Sequence, residues 1–551
     1  MSSSRWKIGS FFGERESEGK AIQKKLLKEV KLGETVLEMK GITKRFPGVL
    51  ANDHIDFDIE AGEIHAVLGE NGAGKTTLMN ILFGILRPDE GEMYIRGKRV
   101  EFKSPLDAID VGIGMVHQHR KLIPAHTALE NIVLGHPKTG KILDMRRAEE
   151  DVKELCRKYG FEIDLHARVW QLSAGEQQLV EILKALYRGA NLLILDEPTS
   201  VLAPLETGRF LKSLRAMAEN ELALIPFITH KLPEVLEVSD RVTILRRGKV
   251  VERLETREAT MKALATYMVG REVLFKLKRP RVEMGKEVLR VDNLSALSDK
   301  GILALKGVSF SIRKGEIFGI AGVSGNGQHE LAEVLAGIRK GKGGKVIFQG
   351  RDITHASVLE RLKMGIVYIP PERVRVGSIG EFSLVDNIAM SLYFDKEFSK
   401  WGLMNYKRIR EHAEKAISEF GVMAANIDTK AAHLSGGNLQ RLILARSIPR
   451  TREFLIANLP AQGLDVGATE FVRNKLLACK REGMGILLIS EDLDEVLQIS
   501  DRIAPIYEGK FMGIVPAKEA GKEIIGAMMT GASVKEMRRS GDIGEAPEAE
   551  T

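Results

Sequence analysis

Cysteine is almost missing from this sequence, with Cys156 and Cys479 its only two. That excludes a disulfide framework and any cysteine-based metal spacing, and it fits a reducing compartment. Long apolar runs are missing too. No uncharged stretch approaches the roughly 18–20 residues needed to cross a bilayer. The first 35 residues carry charge throughout and lack the apolar region of a secretory signal. The expectation is a chain that does not span a membrane, although it can work beside one. A dense basic excess is also lacking. Lys and Arg number 82 against 75 Asp and Glu, a net +7 over 551 residues. Binding driven by counterion release needs more positive charge, clustered on one face, so no nucleic-acid partner is expected.

What is present is ordinary globular material, 44% apolar and 28% charged, with glycine enriched at 54 residues. At about 150 residues per domain the length predicts two to four units. The chain repeats itself. Gly62-Glu63-Ile64-His65-Ala66-Val67-Leu68-Gly69-Glu70-Asn71-Gly72-Ala73-Gly74-Lys75 is echoed by Gly315-Glu316-Ile317-Phe318-Gly319-Ile320-Ala321-Gly322-Val323-Ser324-Gly325-Asn326-Gly327-Gln328. Leu172-Ser173-Ala174-Gly175-Glu176-Gln177-Gln178 returns as Leu434-Ser435-Gly436-Gly437-Asn438-Leu439-Gln440. Echoes in the same order, more than 250 residues apart, mean tandem domains and not a solenoid. The expected division is an N-terminal extension at 1–35, a first domain at 36–271, a linker at 272–286, a second domain at 287–535 and an acidic tail at 536–551. The linker reading rests on the basic, Pro-broken Lys276–Arg281.

Ile64–Leu68, Asn191–Leu195 and Leu224–Thr229 read as buried strands, and Lys75–Leu86 has helical spacing. Strand, glycine loop and helix in this order predict an α/β core. Gly69-Glu70-Asn71-Gly72-Ala73-Gly74-Lys75-Thr76 matches G-x-x-x-x-G-K-[ST] in full. Its glycines let backbone N–H groups converge on phosphate oxygens at a helix N-terminus, Lys75 reaches the outer phosphates, and the Thr76 hydroxyl suits Mg²⁺. Downstream, Leu192–Glu197 is an apolar strand ending in two carboxylates. Asp196 can hold Mg²⁺, directly or through water, and Glu197 can orient the attacking water.

Over nearly its whole length the sequence resembles the ATP-binding subunits of ABC transporters, with two tandem nucleotide-binding domains, each a mixed-sheet α/β core with a helical lobe. The two Leu-Ser-x-Gly peptides resemble that family's signature. Gln118 resembles the glutamine that touches the metal site, His230 the switch histidine, and Phe46 the aromatic that stacks on adenine. The resemblance implies ATP as substrate and Mg²⁺ as cofactor. Glu197, His230 and Lys75 are then catalytic, Thr76, Gln118 and Asp196 are at the metal, and ATP is contacted by Phe46, Gly69 to Thr77 and Gln118. In this family two such domains close head to tail, so the site using Lys75 borrows Ser435, Gly436, Gly437 and Gln440, together with Asp465 of Gly463-Leu464-Asp465.

The second copy is degenerate. Gln328 and His329 stand where Lys75 and Thr76 should be, Asn458 and Leu459 replace Asp196 and Glu197, and Glu491 replaces His230. Asp299 falls at the Phe46 position and Pro371 at that of Gln118. Such losses together remove charge neutralisation, metal anchoring and water orientation. Every element of the other composite site is kept, so one competent site is expected. The retained Leu172–Gln178 faces the degenerate site, either supporting nucleotide binding without turnover or simply packing.

A tandem chain with a degenerate second half resembles the importer ATPases for nucleosides and simple sugars, and His119 after Gln118 leans toward nucleosides. That resemblance implies a peripheral position on the cytoplasmic face of the membrane, two permease subunits docked on grooves between core and helical lobe, and an extracytoplasmic substrate-binding protein. The alternative is a soluble twin ATPase acting on ribosomes or DNA, whose members keep two complete sites. Ala21–Leu32 reads either as a loosely ordered leader or as a basic amphipathic helix lying on a membrane surface.

Overall fold

The structure, a computed structural model, describes residues 31, 33–118, 120–135, 144–200, 202, 204–221, 225–272, 279–280, 282–451 and 453–533. Nearly all of the 21–32 stretch, His119, about half of the linker and the acidic tail lie outside the described residues. The chain separates into two compact units, Met1–Val273 and Leu274–Thr551.

In the first unit, β1 (Thr35–Phe46), β2 (Val49–Glu60), β4 (Glu90–Ile95) and β5 (Lys98–Val100) form an antiparallel sheet in the order β2-β1-β4-β5. Alternation sets its faces: Ile55, Phe57 and Ile59 are buried while Asp56 and Asp58 point away. The second sheet contains β3 (Ile64–Leu68), β6 (Ile113–Val116), β7 (Leu192–Asp196), β8 (Ile225–Thr229), β9 (Arg241–Arg246) and β10 (Lys249–Glu255), in the order β10-β9-β3-β8-β7-β6. Strands β6 to β9 run parallel with β3, and β10 closes one edge antiparallel. Every residue of β3, β7 and β8 is buried, which explains their continuous apolar composition.

Helices Ala128–Val133, Met145–Tyr159 and Ala174–Tyr187 form the lobe. Their apolar faces, including Leu129, Ile132, Val152, Val180 and Leu183, join Phe210 and Leu214 in one cluster. Each start is capped: Thr127 accepts from the Glu130 amide, Asp144 from those of Arg146 and Arg147, and Ser173 from that of Glu176.

The second unit repeats the plan. β11 (Glu287–Leu297), β12 (Leu303–Arg313), β14 (Gly343–Phe348) and β15 (Arg351–Asp352) make the antiparallel sheet. β13 (Ile317–Ala321), β16 (Ile366–Ile369), β19 (Phe454–Asn458), β20 (Gly485–Ser490) and β21 (Arg502–Tyr507) are parallel in the order β16-β19-β20-β13-β21. The pairs β22 (Lys510–Phe511) and β23 (Val515–Pro516) edge β21, while β17 (Ser399–Lys400) and β18 (Leu403–Met404) form a small hairpin.

Two boundaries differ from expectation. The helix expected over 75–86 ends at Leu82, because Gly84 is left-handed (φ 76°) and a Cβ there would lie 2.7 Å from the Ser104 carbonyl. Counted along β1 and β11 from the matching kinks at Gly41 and Asn293, Ser298 and not Asp299 takes the place of Phe46, since the second hairpin turn is longer. Both cysteines are free, and burial pushes the Cys479 thiol up to about 12.

The glycine loop gives a test. Gly72 (φ 82°) has open space where a Cβ would go, whereas a Cβ on Gly74 (φ 101°) would meet the Ala51 carbonyl at 2.3 Å. Gly72→Ala should therefore cost only the left-handed penalty of about 1–2 kcal/mol. Gly74→Ala should cost clearly more, read as a larger drop in melting temperature; equal losses would contradict this packing.

Candidate active site

The expected catalytic residues converge at the ends of β3, β7 and β8. The loop after β3 wraps back to the helix Lys75–Leu82, and Gly69, Ala73, Gly74 and Lys75 are buried while Gly72 and Thr76 are exposed. Close approach to β9 and β2 explains two of the glycines: a Cβ on Gly69 would stand 2.4 Å from the Leu245 carbonyl, and Gly74 is the case above. Lys75, only 5% exposed, folds over the loop and donates from Nζ to the carbonyls of Gly69 (2.6 Å) and Glu70 (3.0 Å). Thr77 lies in the first helical turn, half-buried.

Asp196, the last residue of β7, is buried, and its Oδ1 lies 3.4 Å from the Thr76 hydroxyl. Glu197 follows in left-handed backbone (φ 47°), its amide donating to the Ile228 carbonyl at 3.0 Å. This turn aims the carboxylate between two neighbours. Gln118 Nε2 donates to Oε2 at 3.0 Å, and His230 Nδ1 lies 2.9 Å from Oε1. Burial alone pushes the Glu197 carboxyl up. The His230 hydrogen bond and the charges of His230, Lys75 and Lys231 more than offset this, holding it below the usual carboxylate range. Glu197 is therefore an ionised base fixed at both oxygens.

Thr76 hydroxyl, Asp196 carboxylate and Gln118 amide are hard oxygen donors, the chemistry Mg²⁺ prefers. Among the described residues no group of three or more His, Cys, Asp or Glu is placed to hold a metal ion. Phe46 stands at the end of β1, 41% exposed, with Lys44 Nζ 5.9 Å from its ring centre.

In the second unit the same backbone carries different chemistry. Gly325 (φ 92°) and Gly327 (φ 100°) repeat Gly72 and Gly74, and Leu459 (φ 49°) repeats Glu197, its amide bonded to the Ile489 carbonyl at 2.8 Å. Gln328 takes over the Lys75 contact as a neutral amide, donating to the Val323 carbonyl at 2.9 Å. Asn458 lies 3.3 Å from both His329 Nδ1 and the Tyr368 hydroxyl, and His329 Nε2 is 3.1 Å from Glu333. Burial pushes the Tyr368 phenol up to about 12, so it stays neutral.

The second unit's signature peptide starts the helix Gly436–Ser447, with Ser435 accepting from the Asn438 amide as cap. Ser435 is exposed. Asp465 caps the next helix, Val466–Arg481, accepting from Ala468 N at 2.8 Å, and its Oδ2 lies 4.0 Å from where a Cβ on Gly437 would be. Gln440 departs from expectation: it is 1% exposed, turned into the core, with neither amide atom hydrogen-bonded. It lies three residues after the likewise buried Gly437, on the inward face of that helix. Sequence reasoning missed the left-handed turn at Glu197, although a carboxylate ending a buried strand was its signal. Each unit also has a groove of about 210 Å³ beside its lobe, lined by His117, Lys121 and Lys184 in the first and by Tyr368, Met390 and Arg446 in the second.

Comparison with known proteins follows the same division. The model of the ABC transporter family matches residues 52–200 and 305–461. A glucose import ATP-binding protein of Haloferax volcanii is 47% identical over 529 residues, covering 90% of this chain and 96% of that protein. A nucleoside import ATP-binding protein of Lactococcus lactis is 42% identical over 504 residues, covering 91% and 99%. The crystallised complex of an archaeal ribosomal stalk protein and an archaeal ribosome recycling factor shares the fold (TM-score 0.60, 20% identity, 92% of this chain and 99% of that one). With two cassettes matched and both import proteins spanned nearly end to end, the chain belongs to the ABC transporter family, as an ATPase subunit with two tandem nucleotide-binding domains.

Proposed function

We propose that this subunit hydrolyses ATP at one competent site to energise uptake of a nucleoside or simple sugar through a membrane ABC importer. One observation carries the reading: Glu197 is held by Gln118 and His230, while the same turn in the second unit presents Leu459. The glycine loop supplies converging amides for the phosphates, Lys75 exchanges its loop carbonyls for phosphate oxygens, and Glu197 orients the attacking water and accepts its proton. Thr76, Asp196 and Gln118 would hold Mg²⁺, which would supply positive charge against the phosphates. Ser435, Gly436, Gly437 and Asp465 are proposed as further ATP-contacting residues.

The relatives' names support import, and they fall on both sides of the cargo question, one for glucose and one for nucleosides. The ribosome-linked alternative has only a likeness of fold at 20% identity in its favour. Among the described residues no helix is long and apolar enough to cross a membrane. In this reading the chain binds peripherally at the cytoplasmic face, with two permease subunits docked on the grooves between core and helical lobe. An extracytoplasmic protein would deliver the solute. Purifying the chain with its membrane partners and measuring solute-stimulated phosphate release tests the class; ribosome-stimulated release instead would reverse it.

Within that assay, Glu197→Gln should lower turnover about 10²–10³-fold, while Leu459→Ala and Gln328→Ala should leave it within about twofold. Comparable losses from both sets would refute the single-site reading.

A second outcome concerns pH. The Glu197 carboxyl is held low, so the ionised form it needs is present at neutral pH and lost only as pH falls through its depressed value. His230→Ala removes the hydrogen bond and charge that hold it low and leaves the burial that raises it. The acid limb of the residual pH–rate profile should then move toward neutral pH, and an unmoved limb would show that His230 does not set the carboxyl's ionisation.

A further inference from the structure

In the second unit the hairpin β17–β18 is closed by a two-residue turn, Trp401-Gly402, with Lys400 paired to Leu403. Both turn residues are left-handed (φ 56° and 79°), the geometry that matches the twist of the strands and favours asparagine followed by glycine. Glycine fits the second place. A bulky aromatic at the first is disfavoured by its own Cβ, and Trp401 is also 91% exposed. Neither the backbone nor the core gains from the indole where it stands.

Its neighbours share the pattern. Residues 400–408 are all exposed, and among them Trp401, Leu403, Met404 and Tyr406 are large and apolar or aromatic. Leu403 is 77% exposed. The same run carries Lys400, Lys407 and Arg408 and no carboxylate. Arg410, just beyond, is paired with Asp428 at 2.7 Å, whereas those three cations form no ion pair among the described residues. The base of the hairpin is fixed. The Asn405 amide donates to the Phe398 carbonyl at 2.8 Å, and the buried Phe398 ring stands 5.2 Å from that of His412. Asp395, four residues before β17, pairs with Arg450 at 2.9 Å, and Arg450 lines the second unit's groove. A fixed base thus presents an apolar, acid-free tip.

The chemistry of the tip selects among partners. Protein interfaces are depleted of lysine. Trp, Tyr and Leu interspersed with Lys and Arg are instead the composition of segments lying in a membrane interface. There rings and aliphatic chains enter the boundary between headgroups and acyl chains, and cations meet anionic headgroups. We propose that hairpin β17–β18 is a lipid anchor: Trp401 and Leu403 enter an anionic phospholipid surface, and Lys400, Lys407 and Arg408 meet its headgroups. This rests on the reading that the chain works beside a membrane with permease subunits on its grooves. It adds a direct hold on the bilayer, tied through Asp395 and Arg450 to the wall of one groove.

The test uses the full chain with Trp6→Phe and Trp170→Phe, which leaves Trp401 as its one tryptophan. It is mixed with phosphatidylcholine vesicles, with and without phosphatidylglycerol, whose acyl chains carry bromine. Trp401 emission should be quenched and blue-shifted by the phosphatidylglycerol vesicles and far less by phosphatidylcholine alone. Replacing Lys400 and Lys407 with glutamine should weaken vesicle binding about fivefold per lysine. In the otherwise unchanged chain, Trp401→Asn should weaken it at least about tenfold. Its melting temperature should be equal or higher, since asparagine tolerates this backbone, which separates a lost contact from lost folding. An unquenched Trp401, or wild-type vesicle binding by Trp401→Asn, would overturn the proposal. So would a blue shift without quenching that appears only with permease subunits present, which would make the tip a protein contact. Solute-stimulated phosphate release reports on the importer reading separately. Release with an unquenched Trp401 fails the anchor alone, whereas quenching without such release supports the anchor and fails the importer.

Discussion

Strand β7 ends at Asp196, and the next residue is turned into left-handed backbone by the bond from its amide to the Ile228 carbonyl of β8. Most of the chemistry depends on this constraint. It takes a carboxylate out of the sheet, sets one oxygen on Gln118 and the other on His230, and leaves Asp196 behind at the Thr76 hydroxyl. Two carboxylates thus sit on consecutive residues without competing for one place. Glu197 stays charged despite burial because His230, Lys75 and Lys231 surround it.

The second unit shows how far backbone and chemistry separate in this fold. Glycine dihedrals, strand order and the left-handed turn are all repeated, while the charged side chains are not. Gln328 illustrates the means. Its amide makes the loop contact that the Lys75 ammonium makes, so the loop keeps its shape after losing its cation. Asn458 similarly stands where the first unit has Asp196, within 3.3 Å of His329 Nδ1 and of the Tyr368 hydroxyl. Structure is retained because parallel strands buried on both faces need these turns, whatever the turns once held.

The glycine loop, the buried strands and the paired carboxylates were legible in the sequence, because each depends on spacing along one segment. The duplication was legible for the same reason. What depended on distant segments was not. The early stop at Leu82 comes from the Ser104 carbonyl packing against Gly84, and nothing near residue 84 announces it. Gln440 belongs to a motif whose spacing is clear, yet helical period turns it into the core. The Phe46 counterpart slipped by one residue because ungapped counting ignores a longer hairpin turn.

Leu459 carries one more consequence. A branched aliphatic residue at φ 49° pays about 1–2 kcal/mol relative to glycine, and in the second unit no carboxylate is being aimed by that bend. The turn is thus a reserve of heat tolerance: Leu459→Gly, or Asn with its tolerance of that backbone, offers a route to a hardier protein that leaves the working half untouched.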